Sequence, residues 1–305
     1  MVGGGPAGCA AAATACAAGL DVVLYSAGPP AWMRPHESLP PGAAHLVDEI
    51  FGPGAFQPED HLPAYANAST WGSAELETAD FIFNPFGHGW HLDRPAFDGT
   101  LLDAVRRMGV RVVEQRAATA PEAQFVVDAT GRSARIARSR GARRRRFDRL
   151  VAVWRENGEQ TGSVTTVTAE RNGWSYTAPG ISAFLTDVDL LPRLPGQATD
   201  ASTSCLDHVV GPGWAATGDA AVAFDPLSSQ GLVTALVMGR EAGRVAAGLV
   251  RASDYAAEYR SLLDEHLALR RAYYAMETRW PDSPFWARRR PRVRRDYRRT
   301  SPTRT

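Results

Sequence analysis

The chain opens on Gly3-Gly4-Gly5-Pro6-Ala7-Gly8, and that turn limits what can follow it. Gly3, Gly5 and Gly8 have the Gly-x-Gly-x-x-Gly spacing of a dinucleotide-binding turn. The first glycine permits a tight bend, the second lets a pyrophosphate reach the backbone, and the third lets a helix pack on a sheet. The Ala-rich stretch that ends near Gly19 reads as that helix, and Asp21-Val-Val-Leu-Tyr25 as the next buried strand. The helix start would turn free N–H groups and roughly half a positive charge toward an anion. Ser26 stands where an acidic residue would hold a ribose hydroxyl, and only Met1-Val2 precede the turn where a whole strand is expected. The expectation is a chain that begins at an internal Met, or a shortened copy of a longer fold.

Further along, residues 27–65 read as Pro- and Gly-rich loops around one helix, Gly42 to Ile50. Strand-like segments follow near 80–84 and 88–92, then a helix from Arg94 to Met108. Phe125-Val-Val-Asp128 reads as a buried strand closed by Ala-Thr-Gly131. Residues 150–186 alternate apolar and polar types around Trp154, Trp174 and Tyr176, the pattern of an antiparallel sheet with one covered face. A helix is expected from about Ser229 to Ala252, and a second, capped by Ser253-Asp254, reaching Arg279.

A second signal lies near the C-terminus. Thr217-Gly218-Asp219 ends a short strand, and Phe224-Asp225-Pro226 leads through Ser229 to Gly231 at a helix start. An Asp at a strand end can accept bonds from ribityl hydroxyls, and a glycine at a helix start lets the backbone approach an anionic ring edge.

Composition excludes several chemistries. Of 305 residues, all 34 basic ones are Arg; without a single Lys, Schiff-base catalysis and the P-loop are ruled out. The net charge is +1, but residues 288–305 hold nine Arg against one Asp, which leaves the remainder mildly acidic. Cys9, Cys16 and Cys205 are too few for a disulfide framework, and a reducing cytoplasm fits them. His88 and His91 have metal-ligand spacing without a third ligand. No apolar run reaches the roughly 18 residues of a membrane span. The Arg143–Arg146 run reads as a solvated loop or helix end, or a docking site for a partner. The Arg-rich tail is read as solvated, since no RNA-binding aromatic motif accompanies it.

The two glycine signals, with Glu37-Ser-Leu-Pro-Pro41, Gly87 to Arg94, Val127 to Ser133, Gly173 to Pro179 and Arg279 to Trp286, carry a likeness over nearly the whole chain. The sequence resembles the FAD-dependent monooxygenase and flavin-dependent halogenase superfamily, and within it the flavoproteins that mature quinone-cofactor amine oxidases by modifying tryptophan. The resemblance implies an α/β fold: a Rossmann-like FAD-binding domain of the glutathione-reductase and p-hydroxybenzoate-hydroxylase type, an inserted antiparallel substrate sheet, and C-terminal helices. The boundaries expected are 1–60, 94–148 and 205–250 for the FAD domain, 61–93 and 149–204 for the substrate sheet, 251–286 for the helical segment, and 287–305 for a disordered tail.

By the same resemblance, FAD would be held by Gly3, Gly5, Pro6, Ala7, Gly8, Ser26, Arg34, Glu37, Ser38, Asp128, Gly131, Gly218, Asp219, Pro226, Ser229 and Gly231. Trp174 and Tyr176 would face substrate. The implied reaction is hydroxylation of an aromatic, such as a peptidyl or free tryptophan, through a flavin C4a-hydroperoxide. NAD(P)H or a separate flavin reductase would supply electrons. Halogenation is disfavoured, because the family's halogenases relay hypohalous acid through a lysine. A third reading is a degenerate flavoprotein that binds a partner without turnover.

Overall fold

The computed structural model describes residues 1–28, 37–117, 119, 121–158 and 162–290. At its centre Val23–Tyr25 pairs in parallel with Arg111–Val113, and Val126–Asp128 pairs in parallel with Trp214–Ala216. Val2 lies between the two pairs and bridges Tyr25 on one side and Asp128 on the other. Its N–H donates to the Val127 carbonyl at 2.9 Å, and the Gly3 N–H to the Tyr25 carbonyl at 2.9 Å. The strand before the glycine turn is as short as the sequence requires, yet it completes a five-segment parallel core. Among the described residues between Gly109 and Phe125, Arg111–Val113 is a strand.

Seven α-helices are described: α1 (Pro6–Ala17), α2 (Ala43–Phe51), α3 (Arg94–Arg107), α4 (Arg135–Ser139), α5 (Gly231–Ala246), α6 (Ala252–Met276) and α7 (Pro284–Arg289). Helix α1 starts with Pro6 in its first turn, a position where the missing N–H costs nothing. Ala10 to Ala13 are completely buried, so this helix is enclosed on all sides rather than laid on a surface. Small residues make that possible. A Cβ at Gly239 would stand 2.4 Å from the Ala7 carbonyl oxygen, and one at Gly243 2.6 Å from that of Ala11. Helices α1 and α5 therefore touch through their backbones. Helix α3 is capped by Asp93, whose carboxylate accepts from the Ala96 N–H at 3.0 Å.

The helix expected from Ser229 to Ala252 is shorter, Gly231–Ala246. Helix α5 stops at Ala246, and Gly248 takes φ +73° in the connection. Helix α6 starts at Ala252, so Ser253-Asp254 lies in its first turn rather than capping it, and it ends at Met276 instead of Arg279.

The second layer is a seven-stranded sheet in the order 197–200, 150–156, 181–187, 173–178, 164–170, 66–70, 77–80. All neighbours are antiparallel except 164–170 with 66–70. The segment after Pro179 holds a hairpin: Ala178 pairs with Ile181, and Gly180 turns the chain at φ +78°. Residues 37–39 and 62–64 are strands on either side of Gly89–Leu92, where loops were expected, and the strand near 80 occupies Glu77–Asp80. Arg144–Arg146, expected as a loop or helix end, is a strand instead.

One face of the sheet packs on the C-terminal segment through Trp174, Tyr274, Phe285 and Trp286. Residues 287–290, expected to begin the disordered tail, are instead tied down. Arg289 is buried against Asp187, and Arg288 pairs with Asp187 and Asp189. Residues 291–305 lie outside the described part. No helix among the described residues is long and apolar enough to cross a membrane.

Candidate functional site

A cavity of about 290 Å³ lies between the parallel core, the large sheet and the start of α5. One wall is the glycine turn with Pro6 and Ala7, joined by Ala129 to Arg132 and by Thr217 and Asp219. The opposite wall is apolar and aromatic, with Ala152, Trp154, Trp174, Tyr176 and Leu185. The segment Phe224 to Gly231 closes a third side.

The glycines divide by role. A Cβ on Gly3, at φ +112°, would meet the Ala129 carbonyl oxygen at 2.1 Å, and one on Gly8 would meet that of Gly3 at 1.8 Å. Gly218, at φ +56°, is closed off by the Ala7 side chain. These three let chain pack on chain. Nothing stands within 4 Å of a Cβ at Gly5 or Gly231, and both line the cavity. Helix α1 has no side-chain cap and no acid in its first turn, so its amide groups and positive end are left to whatever enters.

The turn before α5 is held rigidly. Asp225, buried, accepts from the Leu227 N–H at 3.1 Å, from Arg270 Nε at 2.8 Å and from the Tyr274 hydroxyl at 3.3 Å. Arg270 also reaches Asp148 at 2.9 Å. Ser229 adopts φ +50°, uncommon for a residue with a side chain, at the cavity edge. His266 stacks on Phe224 at 4.1 Å, and its Nε2 accepts the Asp225 N–H at 3.3 Å. Burial lowers its pKa to about 4, against the pull of Asp225.

Across the cavity, Ser38 is a hub. Its hydroxyl lies 2.9 Å from Thr165 Oγ1, 3.2 Å from the Tyr176 hydroxyl and 3.3 Å from His91 Nδ1. Burial raises the Tyr176 pKa, which keeps the phenol protonated. Glu37 bonds Arg94, which also grips Asp98 at 3.1 Å. Burial works against the Arg94 charge, but the two carboxylates outweigh it and raise its pKa.

Of the residues expected from sequence, Gly5, Pro6, Ala7, Glu37, Ser38, Gly131, Asp219, Pro226, Ser229, Gly231, Trp174 and Tyr176 line this one cavity. Gly3, Gly8 and Gly218 shape its walls from behind. Ser26 and Asp128 do not reach it. Ser26 is buried against Gly4, and the Asp128 carboxylate accepts from the Thr130 N–H at 2.9 Å and the Ala137 N–H at 2.7 Å, fixing the turn into α4. Arg34 lies outside the described residues. His88 and His91 belong to no cluster able to hold a metal among the described residues.

The sequence reading missed Arg132. It lines the cavity, donates to the Ser202 carbonyl, and has a buried Nε without a hydrogen-bond partner, 3.6 Å from Asp219. Its signal was its place directly after Asp128-Ala-Thr-Gly131. Arg94 was missed as well, although the Arg94/Asp98 spacing of four on a helix announces the pair.

The overall fold recurs in solved structures. The peptidyl tryptophan dihydroxylase QhpG superposes with a TM-score of 0.78 at 23% identity, over 94% of this chain and 77% of that one. The myxobacterial chondrochloren halogenase CndH gives 0.81 at 20% identity, over 97% and 86%. The chain therefore shares the fold of these two proteins. Among curated proteins, "Putative FAD-dependent oxidoreductase LodB" of Marinomonas mediterranea is 25% identical over an alignment of 358 residues, which spans 95% of each chain. No family model matches the sequence.

Proposed function

We propose that this chain is an FAD-dependent oxidoreductase that hydroxylates an aromatic group. The observation that carries it is one cavity with an uncapped helix N-terminus on one wall and an aromatic sheet on the other. The residues fit the cofactor on the structure's own terms. Gly5 leaves a cradle that any side chain would fill, and Arg132, ion-paired with Asp219 but with no hydrogen bond at Nε, offers a cationic donor at the same cavity. Gly5 to Ala7 and Arg132 would hold the pyrophosphate, Asp219 the ribityl hydroxyls, and Pro226 to Gly231 with Glu37 and Ser38 the ring system.

FAD supplies the redox chemistry and the reaction with oxygen. The chain supplies the rest. Helix α1 places partial positive charge against the phosphates. Trp154, Trp174 and Leu185 exclude water and give an aromatic substrate a surface to lie on. The Tyr176 hydroxyl, held on Ser38 and kept protonated by burial, can hydrogen-bond a substrate atom without gaining charge. The relatives named for tryptophan modification and for halogenation support an aromatic substrate. Oxygenation is preferred because the chain has no lysine to relay a halogenating species.

Two measurements test the reading. Purified protein should show visible flavin bands near one equivalent, or gain them with added FAD. Loaded protein, given reduced flavin and oxygen, should add 16 or 32 mass units to a tryptophan-containing peptide, about one or two oxygen atoms. Absence of flavin bands even with excess FAD would overturn the cofactor assignment; flavin without product would leave a binding protein.

A further inference from the structure

A second concavity, about 890 Å³, opens on the far side of Arg132. Its walls carry six guanidinium groups: Arg132, Arg135, Arg138, Arg143, Arg144 and Arg146. The carboxylates near them include Asp200, 2.9 Å from Arg146 and 3.9 Å from Arg132, Asp219, 3.6 Å from Arg132, and Asp207, which accepts the Arg143 backbone N–H at 2.9 Å. Arg138 and Arg143 are exposed to solvent. The groove is thus strongly cationic on a body whose remaining sequence is acidic.

One wall of the groove is also a sheet edge. Arg144–Arg146 is the outer strand of a three-stranded sheet and pairs, among the described strands, with Ser204–Leu206 alone. An edge strand offers alternate N–H and C=O groups to another extended chain. Arginines along that edge repel a second copy of the same strand, while they attract one that carries carboxylates.

We propose that this groove docks an acidic, extended segment of a partner polypeptide, added as a strand beside Arg144–Arg146. Three features select that occupant. The cationic lining calls for an anion, and paired guanidiniums match carboxylates in geometry as well as charge. The free edge calls for a backbone able to form a ladder, which a nucleic acid lacks. No aromatic residue lines the groove, so it gives nucleobases no stacking platform. Arg132 is common to groove and cavity, so a docked segment lies next to the site proposed for chemistry. Docking stands apart from the flavin assignment, since neither charge nor edge depends on a cofactor.

The test uses the full chain and a fluorescein-labelled peptide of alternating Glu and Val, read by fluorescence anisotropy. Wild-type protein should bind the peptide, more weakly as salt rises. Arg138→Glu/Arg143→Glu should lose about tenfold or more in affinity, with the neutral Arg138→Gln/Arg143→Gln pair between the two. Melting temperature and flavin content read folding separately, because both side chains are exposed and neither lines the cavity. A peptide of equal charge with alternate N-methylated amides should bind several-fold more weakly, because it cannot complete a ladder. Failure of the wild type to bind, equal affinity in the charge-reversed variant, equal binding of the N-methylated peptide, or equal competition by oligo-dT of the same charge would each overturn the proposal.

Discussion

Arg289 meets Asp187 at 2.6 Å with both side chains almost completely buried, although 102 residues separate them. Burial alone would raise the Asp187 pKa, but hydrogen bonds and charge from Arg289 and Arg288 outweigh it and hold the carboxylate below its usual range. The pair fastens α7 to the large sheet. Breaking a buried pair strands the surviving charge, so Asp187→Asn should cost about 3–5 kcal/mol in a urea titration. A depressed carboxylate pKa contributes stability above its unfolded value, so this contribution should fade as pH falls through the acidic range and be missing from the variant. An unchanged midpoint would mean that α7 does not depend on this contact.

Gly5 and Gly3 should part ways when replaced by alanine. Gly5→Ala adds a methyl to open space at the cavity, and its melting temperature should stay within a degree or two of the wild type. Its affinity for FAD should fall about tenfold or more if Gly5 cradles the phosphates as proposed. Gly3→Ala must strain a φ of +112° and push on the Ala129 carbonyl, and should lose stability before any question of binding arises. Comparing melts and FAD titrations of the two separates a cradle from a packing point.

His266 makes acid stability a readout of the α5 turn. Its folded pKa, lowered to about 4 by burial, sits below the ordinary 6.5. The unfolded chain therefore binds the proton first, and stability should be complete above pH 6.5 and decline steadily between 6.5 and 4. His266→Phe, which keeps a ring on Phe224 and removes the titration, should flatten that part of the curve of melting temperature against pH. If the slope in that window is the same in both proteins, another group is responsible.

Gly239→Val is predicted to be among the more damaging substitutions outside the cavity. Its side chain would have to occupy space 2.4 Å from the Ala7 carbonyl, forcing α5 away from α1. The cost should be about 1–3 kcal/mol or more by chemical denaturation, with FAD affinity reduced because Ala7 and Ala235 both line the cavity.

How much of this was legible in sequence depends on whether a residue acts locally. The glycine turn could be read because backbone conformation there belongs to the residue itself, and its helix and strand follow at once. Asp128 shows the opposite case: an acid at a strand end serves a ligand or its own turn equally well in sequence, and only the folded chain shows its carboxylate taken up by the Thr130 and Ala137 N–H groups. The cluster of Ser38, His91, Thr165 and Tyr176 joins two early strands to a hairpin more than 70 residues further along the chain. No periodicity in any one of them could announce it. Arg288 and Arg289 read as the start of a charged tail because their partners, Asp187 and Asp189, are invisible until the sheet is folded.

The glycine contacts between α1 and α5 also bear on how the protein is made. Helix α1 leaves the ribosome well before α5, but it is almost wholly buried and cannot finish its packing alone. Its partner begins at Gly231 and is not complete until Ala246 has been synthesised. At typical elongation rates of about 5–20 residues per second, an apolar alanine helix therefore waits on the order of ten seconds or more for its cover. During that interval the nascent chain offers an aggregation-prone surface, and a chaperone that shields α1 would raise the yield of folded protein.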